Sequence, residues 1–383
     1  MLKKLSLMAA AIALTVTSGA TLAQMKVGVV SSATGPTALV GIPQRNTVQL
    51  LPRKIGDITV DYIALDDASD PTHTVMNVRK LLEEDRVDAI IGPSGSPNAM
   101  AVIDFVAETK TPLLAPVGTA AVILPMDEKK KWVFKTTQND DLIAEALVGH
   151  MVDNGVKRVG FIGSNDPFGE NWYNVFSALA AEAGIEIVAN ERYLRSDNSV
   201  TGQSLRILST RPDAVLVAAA GGPTILPQIT LVDQGYKGQF YQTHGAALPD
   251  FLRLGGNKVE GTVLAASLML VLDEIADDNP SKQVAQTYID AYQAAHGSTP
   301  ATFGANVYDA GLLLEAAVPL ALQAGQPGTE AFRVALRDAL EQTTELIGTQ
   351  GVYNMTPEDH SGFDERGRVL ITVKDGQWRL LQE

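Results

Sequence analysis

From Met25 onward, apolar runs of strand length alternate with segments of helical period, and the alternation occurs twice. Lys26 to Ser32, Val60 to Asp67 and Asp88 to Gly92 read as strands. Between the last two, Val75, Val78, Leu81 and Leu82 recur at helical spacing, with Arg79, Lys80, Glu83 and Glu84 on the opposite face. Thr111 to Pro116 gives a fourth strand after a helix predicted over 98–108. The pattern restarts after Asp140: a helix carrying Ile143, Leu147 and Met151, a strand at Lys157 to Gly163, a helix from Trp172 to Ala183, then strands at 185–191, 213–219 and 238–243 with helices at 202–208 and 225–234. Short runs buried on both faces and separated by helices predict parallel sheets with right-handed crossovers. The fold class is therefore α/β, with two doubly wound parallel-sheet lobes and no sequence repeat visible between them.

Past Gly261 the pattern changes to helices, over 282–295 with Val284, Tyr288, Ala291 and Ala295 in register, then over 305–323 and 330–342. The end of the chain reads as short antiparallel strands joined by turns such as Lys374-Asp375-Gly376-Gln377. Late helices without strands of their own need a sheet to cover, so they are expected to return to the first lobe and the tail to the second, making three crossings. The expected division is 24–138 plus 272–347 for lobe 1 and 139–271 plus 348–383 for lobe 2. Two lobes joined in this way hinge around a cleft that suits a small ligand.

Residues 1–23 read as a cleaved secretory signal: Lys3 and Lys4, an apolar run of 12 residues from Leu5 to Val16, then small residues before Gln24. That run is too short to span a bilayer. The chain has no cysteine, which excludes a lipid anchor on cysteine, a disulfide framework and a thiolate metal site. Losing the two lysines with the signal takes the formal charge from -14 to -16, so the mature protein repels polyanions and nucleic acid is not an expected partner.

In a doubly wound sheet, ligands bind beyond the carboxyl ends of the strands. Ser96 before Pro97 reads as a helix start, and Gly118 and Thr119 form a second loop at the same edge. These hydroxyls and free amides either cap their own helices or converge on an anion the size of a carboxylate. A serine nucleophile is poorly supported, because Gly-Pro-Ser-Gly-Ser at 92–96 is not G-x-S-x-G. The five histidines offer no metal-ligand spacing. His73, His296 and His360 sit in polar surroundings that predict exposure, and His150 reads as a half-buried packing residue on a helix. His244 differs: it follows a strand at the carboxyl edge of the second lobe, where it either orients a loop or faces the ligand. Phe168 tops another strand-to-helix turn, as an aromatic wall or as a hydrophobic staple. Neither a catalytic residue nor a metal nor a cofactor is expected.

The chain from about Lys26 to its C-terminus resembles the periplasmic binding proteins of the leucine/isoleucine/valine class, which have the type I periplasmic-binding-protein fold and feed ABC transporters. The resemblance rests on the order and spacing of SSATGPTALVG, IIGPSGSPNA, PLLAPVGTA, NDPFGEN, QGYKGQFYQTHG and GVYNMTPEDHSG. It implies that Ser96, the backbone amide of Val117 and Thr119 grip a ligand carboxylate, with Gly95 and Gly118 in the same turns. It also implies that Phe168 flanks the ligand and Val40 touches its apolar end. Amino-acid receptors of the class carry a glutamate where this chain has His244, and a tyrosine in the loop near Ala220 to Gly222 is missing. Neutral imidazole cannot replace a carboxylate opposite an ammonium group, and one-sided loss of a buried charge pair costs about 3–5 kcal/mol. The expected ligand is a small 2-oxo or aromatic acid without an α-amino group, with room for its bulk near Gly221.

These readings describe a monomeric periplasmic receptor that delivers its ligand to an ABC permease in the inner membrane. Two alternatives stand beside that reading. One is an amino-acid receptor whose ammonium partner is Asp166 or Asp309, and the other is a sensor domain of the same fold that regulates a protein partner.

Overall fold

The computed structural model describes residues 24–381, and the predicted signal at 1–23 lies outside the described residues. Its first sheet has six strands in the order Lys54–Ile55, Ile58–Asp66, Gln24–Ser31, Ala89–Ile91, Leu113–Ala115 and Val133–Lys135. All pair in parallel except the two-residue edge strand Lys54–Ile55. Because helices cover both faces, the central strands bury alternate residues on opposite sides: Val27 and Val29 face the late helices, while Val30 and Ile90 face Val78, Leu81 and Val102.

The second sheet has seven strands, in the order Gln377–Leu380, Val369–Lys374, Val263–Ala266, Gln239–Gln242, Ala214–Ala218, Arg158–Ser164 and Glu186–Tyr193. The last two strands of the chain join it antiparallel, as a hairpin whose turn holds Asp375 and Gly376 at φ 53° and 69°. Backbone with positive φ at both central positions suits an Asp-Gly pair, which is why this turn is legible in the sequence.

Among the described residues four strands escape the sequence reading, Lys54–Ile55, Val133–Lys135, Val263–Ala266 and Leu346–Ile347; runs of two to four residues display no period of their own, and the equally short Ala89–Ile91 and Leu113–Ala115 stand out by the helical pattern between them. The helix predicted over 98–108 is two helices, Ser96–Met100 and Ile103–Glu108, interrupted at the buried Val102. On Pro280–His296 the buried stripe is Ala285, Tyr288, Ile289 and Tyr292, while Ala295 is exposed.

The late helices Thr302–Ala321 and Glu330–Leu340 pack on the first sheet. Pro280–His296 bridges instead: its apolar face joins Phe251, Leu264 and Trp378 of the second sheet's side, and Tyr288 Oη lies 2.8 Å from Thr47 Oγ1 on the first. The chain passes between the sheets after Lys135, after Ala266 and after Phe363. The first and third passes are tied together where Gln138 Nε2 donates to Gly367 O at 2.6 Å.

Candidate functional site

Both sheets reverse their strand order at the strand that begins the unit. Gln24–Ser31 pairs with Ile58–Asp66 on one side and Ala89–Ile91 on the other, and Arg158–Ser164 does the same with Glu186–Tyr193 and Ala214–Ala218. The loops beyond these reversals face one another, and the crevice between them is where an open α/β sheet binds ligands.

The wall on the first sheet's side is made of short turns held from behind by buried polar groups. Ser94 Oγ accepts from Ser32 N at 2.8 Å and donates to Gln44 Oε1, so its proton is already committed and no base stands beside it. Gly95, not Ser96, is the N-cap of Ser96–Met100, so the capping role expected of Ser96 falls to its neighbour and Ser96 is the first helical residue, lining the cavity. That helix is anchored by Asn98, whose Nδ2 donates to Asp67 Oδ2 at 3.0 Å and to Thr74 Oγ1 at 2.7 Å. Asp67 also accepts from Ser32 Oγ at 2.7 Å, joining the loops after three strands in one buried network.

Val117 and Gly118 line the cavity from the next loop. The ammonium of Lys135, fully buried, donates to Gly118 O, Gln138 O and Asn139 Oδ1. Pulling the Gly118 carbonyl back in this way turns the amide of the same trans peptide, that of Thr119, the opposite way. Thr119 is fully buried just behind the lining, and its Oγ1 has no partner among the described residues.

The wall on the second sheet's side is made of side chains. Asp166 caps Pro167–Glu182, accepting from Phe168 N at 2.9 Å and Gly169 N at 3.2 Å, and this fixes where Phe168 projects. Phe168 is 3% exposed, its ring centroid 6.2 Å from that of His244. Arg195 Nε donates to Asp166 Oδ2 at 2.6 Å, and its guanidinium carbon lies 5.8 Å from the Phe168 centroid. Burial works to raise the Asp166 carboxyl, but Arg195 and the capping amides outweigh it and hold the group below the usual carboxylate range.

His244 follows Gln239–Gln242 and reaches across to the opposite wall. A Cβ added to Gly118 would lie 2.5 Å from His244 Nε2 and 2.6 Å from Asp140 Oδ1, so only glycine fits there. Burial first, and the nearby Lys135 charge second, push the His244 pKa down to about 3, so the ring is neutral at physiological pH. Its Nε2 is 3.9 Å from Asp140 Oδ1, too far for a hydrogen bond, and Nδ1 has no partner among the described residues. Asp140 is fully buried: desolvation pushes its carboxyl up, Lys135 opposes that, and Oδ2 accepts from Asn171 Nδ2 at 2.6 Å.

The structure thus brings Ser96, Gly95, Val117, Gly118, Phe168, Val40 and His244 to one cavity. Gly221 stands just outside the lining, where an added Cβ would meet Val40 Cγ2 at 3.1 Å. Sequence reasoning missed Thr37, Thr137, Arg195, Phe303 and Asn306, which also line it. A lone arginine in a loop gives no signal by itself; what selects Arg195 is its pairing with Asp166, 29 residues away. The free volume is about 30 Å³, room for about two waters.

The carboxylates considered as ammonium partners are both engaged elsewhere. Asp166 holds Arg195 and a helix cap, and Asp309, raised by burial to about 6, accepts from Thr349 N at 2.8 Å and Tyr353 Oη at 3.0 Å. His360 departs from the exposure expected of it: it is fully buried, stacked on Phe134 at 4.1 Å, with Nδ1 2.8 Å from Val133 O. His296 is half-buried against Tyr292, and His150 Nδ1 lies 2.8 Å from Tyr241 Oη. Among the described residues no cluster of His, Asp or Glu could hold a metal ion.

Comparison with known proteins finds a family profile described as periplasmic binding protein that matches residues 24–376. The Leu/Ile/Val-binding protein BraC3 of Rhizobium johnstonii is 25% identical over 331 residues, which cover 85% of this chain and 86% of that protein. A crystal structure of an extracellular ligand-binding receptor from Rhodopseudomonas palustris HaA2 is 46% identical with a TM-score of 0.91, covering 94% of this chain and 100% of that one. A solute binding protein of an ABC transporter from Rhodopseudomonas palustris BisB5, in complex with 3,4-dihydroxy benzoic acid, shares the fold at a TM-score of 0.78 and 20% identity, covering 94% and 96% of the two chains.

Proposed function

This chain belongs to the periplasmic binding protein family, and on that premise we propose that it captures a small carboxylate without an α-amino group, a 2-oxo or aromatic acid, for delivery to an ABC permease. Its relatives are solute receptors of the Leu/Ile/Val-binding type, not enzymes. Export to the periplasm and action as a monomer belong to the same proposal.

One observation carries the choice of ligand: among the described residues no Asp or Glu lines the cavity, while Arg195 does. Ser96 and the amides of the Val117–Thr119 turn offer hydrogen-bond donors on one wall, as a carboxylate needs. Facing them, His244 presents its Nε2 edge to Gly118. A neutral ring protonated at Nε2 donates to a keto or carboxylate oxygen and cannot neutralise an ammonium group. Closure around such a ligand shifts the open and closed populations, which is the signal a permease reads.

A second reading, an amino-acid receptor, is favoured by Asp140 Oδ1, which is buried without a hydrogen-bond partner beside His244, and by the name of the BraC3 relative. In that reading His244 moves aside and Asp140 meets the ammonium. A thermal-shift screen that pairs each 2-oxo acid with its 2-amino counterpart separates the two. Ligand at a hundredfold excess over Kd adds about 2.7 kcal/mol of apparent stability. The oxo member is expected to stabilise and the amino member not, with the difference narrowed in His244→Leu; equal or greater stabilisation by the amino member overturns the proposal.

A further inference from the structure

The Arg195 guanidinium has more donors than the fold uses. Its Nε is spent on Asp166 Oδ2, and among the described residues neither terminal nitrogen finds an acceptor, although the side chain is only 14% exposed and lines the cavity. The bond to Asp166, itself fixed as a helix cap, and the face of Phe168 hold the guanidinium in place, so the two free amino groups are presented in a set direction.

Phe168 neighbours both His244 and Arg195, at 6.2 Å and 5.8 Å. His244 marks the end of the cavity where the Gly118 turn lies. A ligand with its carboxylate at that turn and its body against Phe168 shares that ring with Arg195, which lines the same cavity.

From this arrangement we propose that Arg195 forms a second, distal subsite that selects ligands bearing a hydroxyl oxygen at the end remote from the carboxylate. The inference deepens the carboxylate reading above and rests on it. Asp166 already neutralises Arg195, so a second full negative charge at this point would face that carboxylate as well as the arginine. A hydroxyl oxygen accepts from a terminal amino group without that repulsion. The subsite also accounts for a cation in a wall otherwise built of apolar and neutral groups.

The experiment is isothermal titration of the full protein with four probes: phenylpyruvate, 4-hydroxyphenylpyruvate, phenylalanine and tyrosine. The oxo-against-amino comparison tests the carboxylate reading, and the hydroxyl-against-hydrogen comparison tests Arg195, so the two fail separately. For the wild type, the hydroxylated member of whichever pair binds is expected to bind about tenfold more tightly, as for one hydrogen bond to a charged group. In Arg195→Gln affinity is expected to fall for both members of a pair, and for the hydroxylated member about tenfold more, so that the preference vanishes. Arg195→Lys, which keeps the charge without the fork, is expected to retain part of it. An equal loss for both members of a pair in Arg195→Gln assigns the residue to holding Asp166 alone and overturns the subsite. So does a wild type indifferent to the hydroxyl, or a chain that binds none of the four.

Discussion

The two walls of the cleft are built differently although the sheets behind them share a topology. On the first sheet's side the groups presented are hydroxyls and amides of tight turns, and the charges that support them, Asp67 and Lys135, are buried behind. On the second sheet's side the groups presented are an aromatic ring, an imidazole and a guanidinium. Turn amides hold any carboxylate, whatever it is attached to, whereas side chains at set distances discriminate among the bodies attached. In the proposed receptor one wall therefore supplies affinity for a class, and the other supplies identity within it.

The largest effect expected is from Gly118→Ala, where the two walls meet. A methyl group cannot share space with His244 Nε2 and Asp140 Oδ1, so the cleft should no longer close. Overpacking of this kind costs about 1–3 kcal/mol in stability. The ligand-induced thermal shift should disappear altogether; a preserved shift would mean that closure does not bring His244 against this turn.

Next come Ser96→Ala and Thr119→Val. Each should weaken binding about 10- to 100-fold, as expected for a hydrogen bond to a charged group. The loss should be the same for oxo and amino members of a pair, and calorimetric titration of both checks it. A loss confined to one member would show that the first wall also discriminates and would break the division of labour.

The smallest effect concerns acid. His244 has a folded pKa near 3, far below its ordinary 6.5, so below pH 6.5 the unfolded chain takes up a proton that the folded chain refuses. Stability should fall as pH drops from about 6.5 toward 3, by about 2 kcal/mol between pH 7 and pH 5 from this residue. Burial lowers His360 too, so that residue adds to the fall in the same direction. Denaturant unfolding at both pH values, in the wild type and in His244→Gln, measures the share; an unchanged pH dependence in the variant would place the titrating group elsewhere.

The architecture could be read from sequence because the strands that define it are long and alternate regularly with helices, as Gln24–Ser31 and Arg158–Ser164 do. Val133–Lys135 and Val263–Ala266 were hidden by their shortness. At the site, the turn at Ser96 could be found from serine and proline before a helical pattern, although the backbone gives the cap to Gly95. Lys135, Asp140 and Arg195 could not, since each owes its place to partners that only folding brings near. His360 was misread for the same reason: a polar stretch of chain folds inward where the Phe134 ring and the Val133 carbonyl meet its imidazole.

In the proposed receptor the chain's three passes between the sheets, with Gln138 stitching the first to the third, serve as a strap hinge. Side-by-side straps resist twist and sideways slip and yield to one swing. On that proposal each closure returns His244 to the same spot over Gly118, and sorting guests by a few ångströms depends on that repeatability.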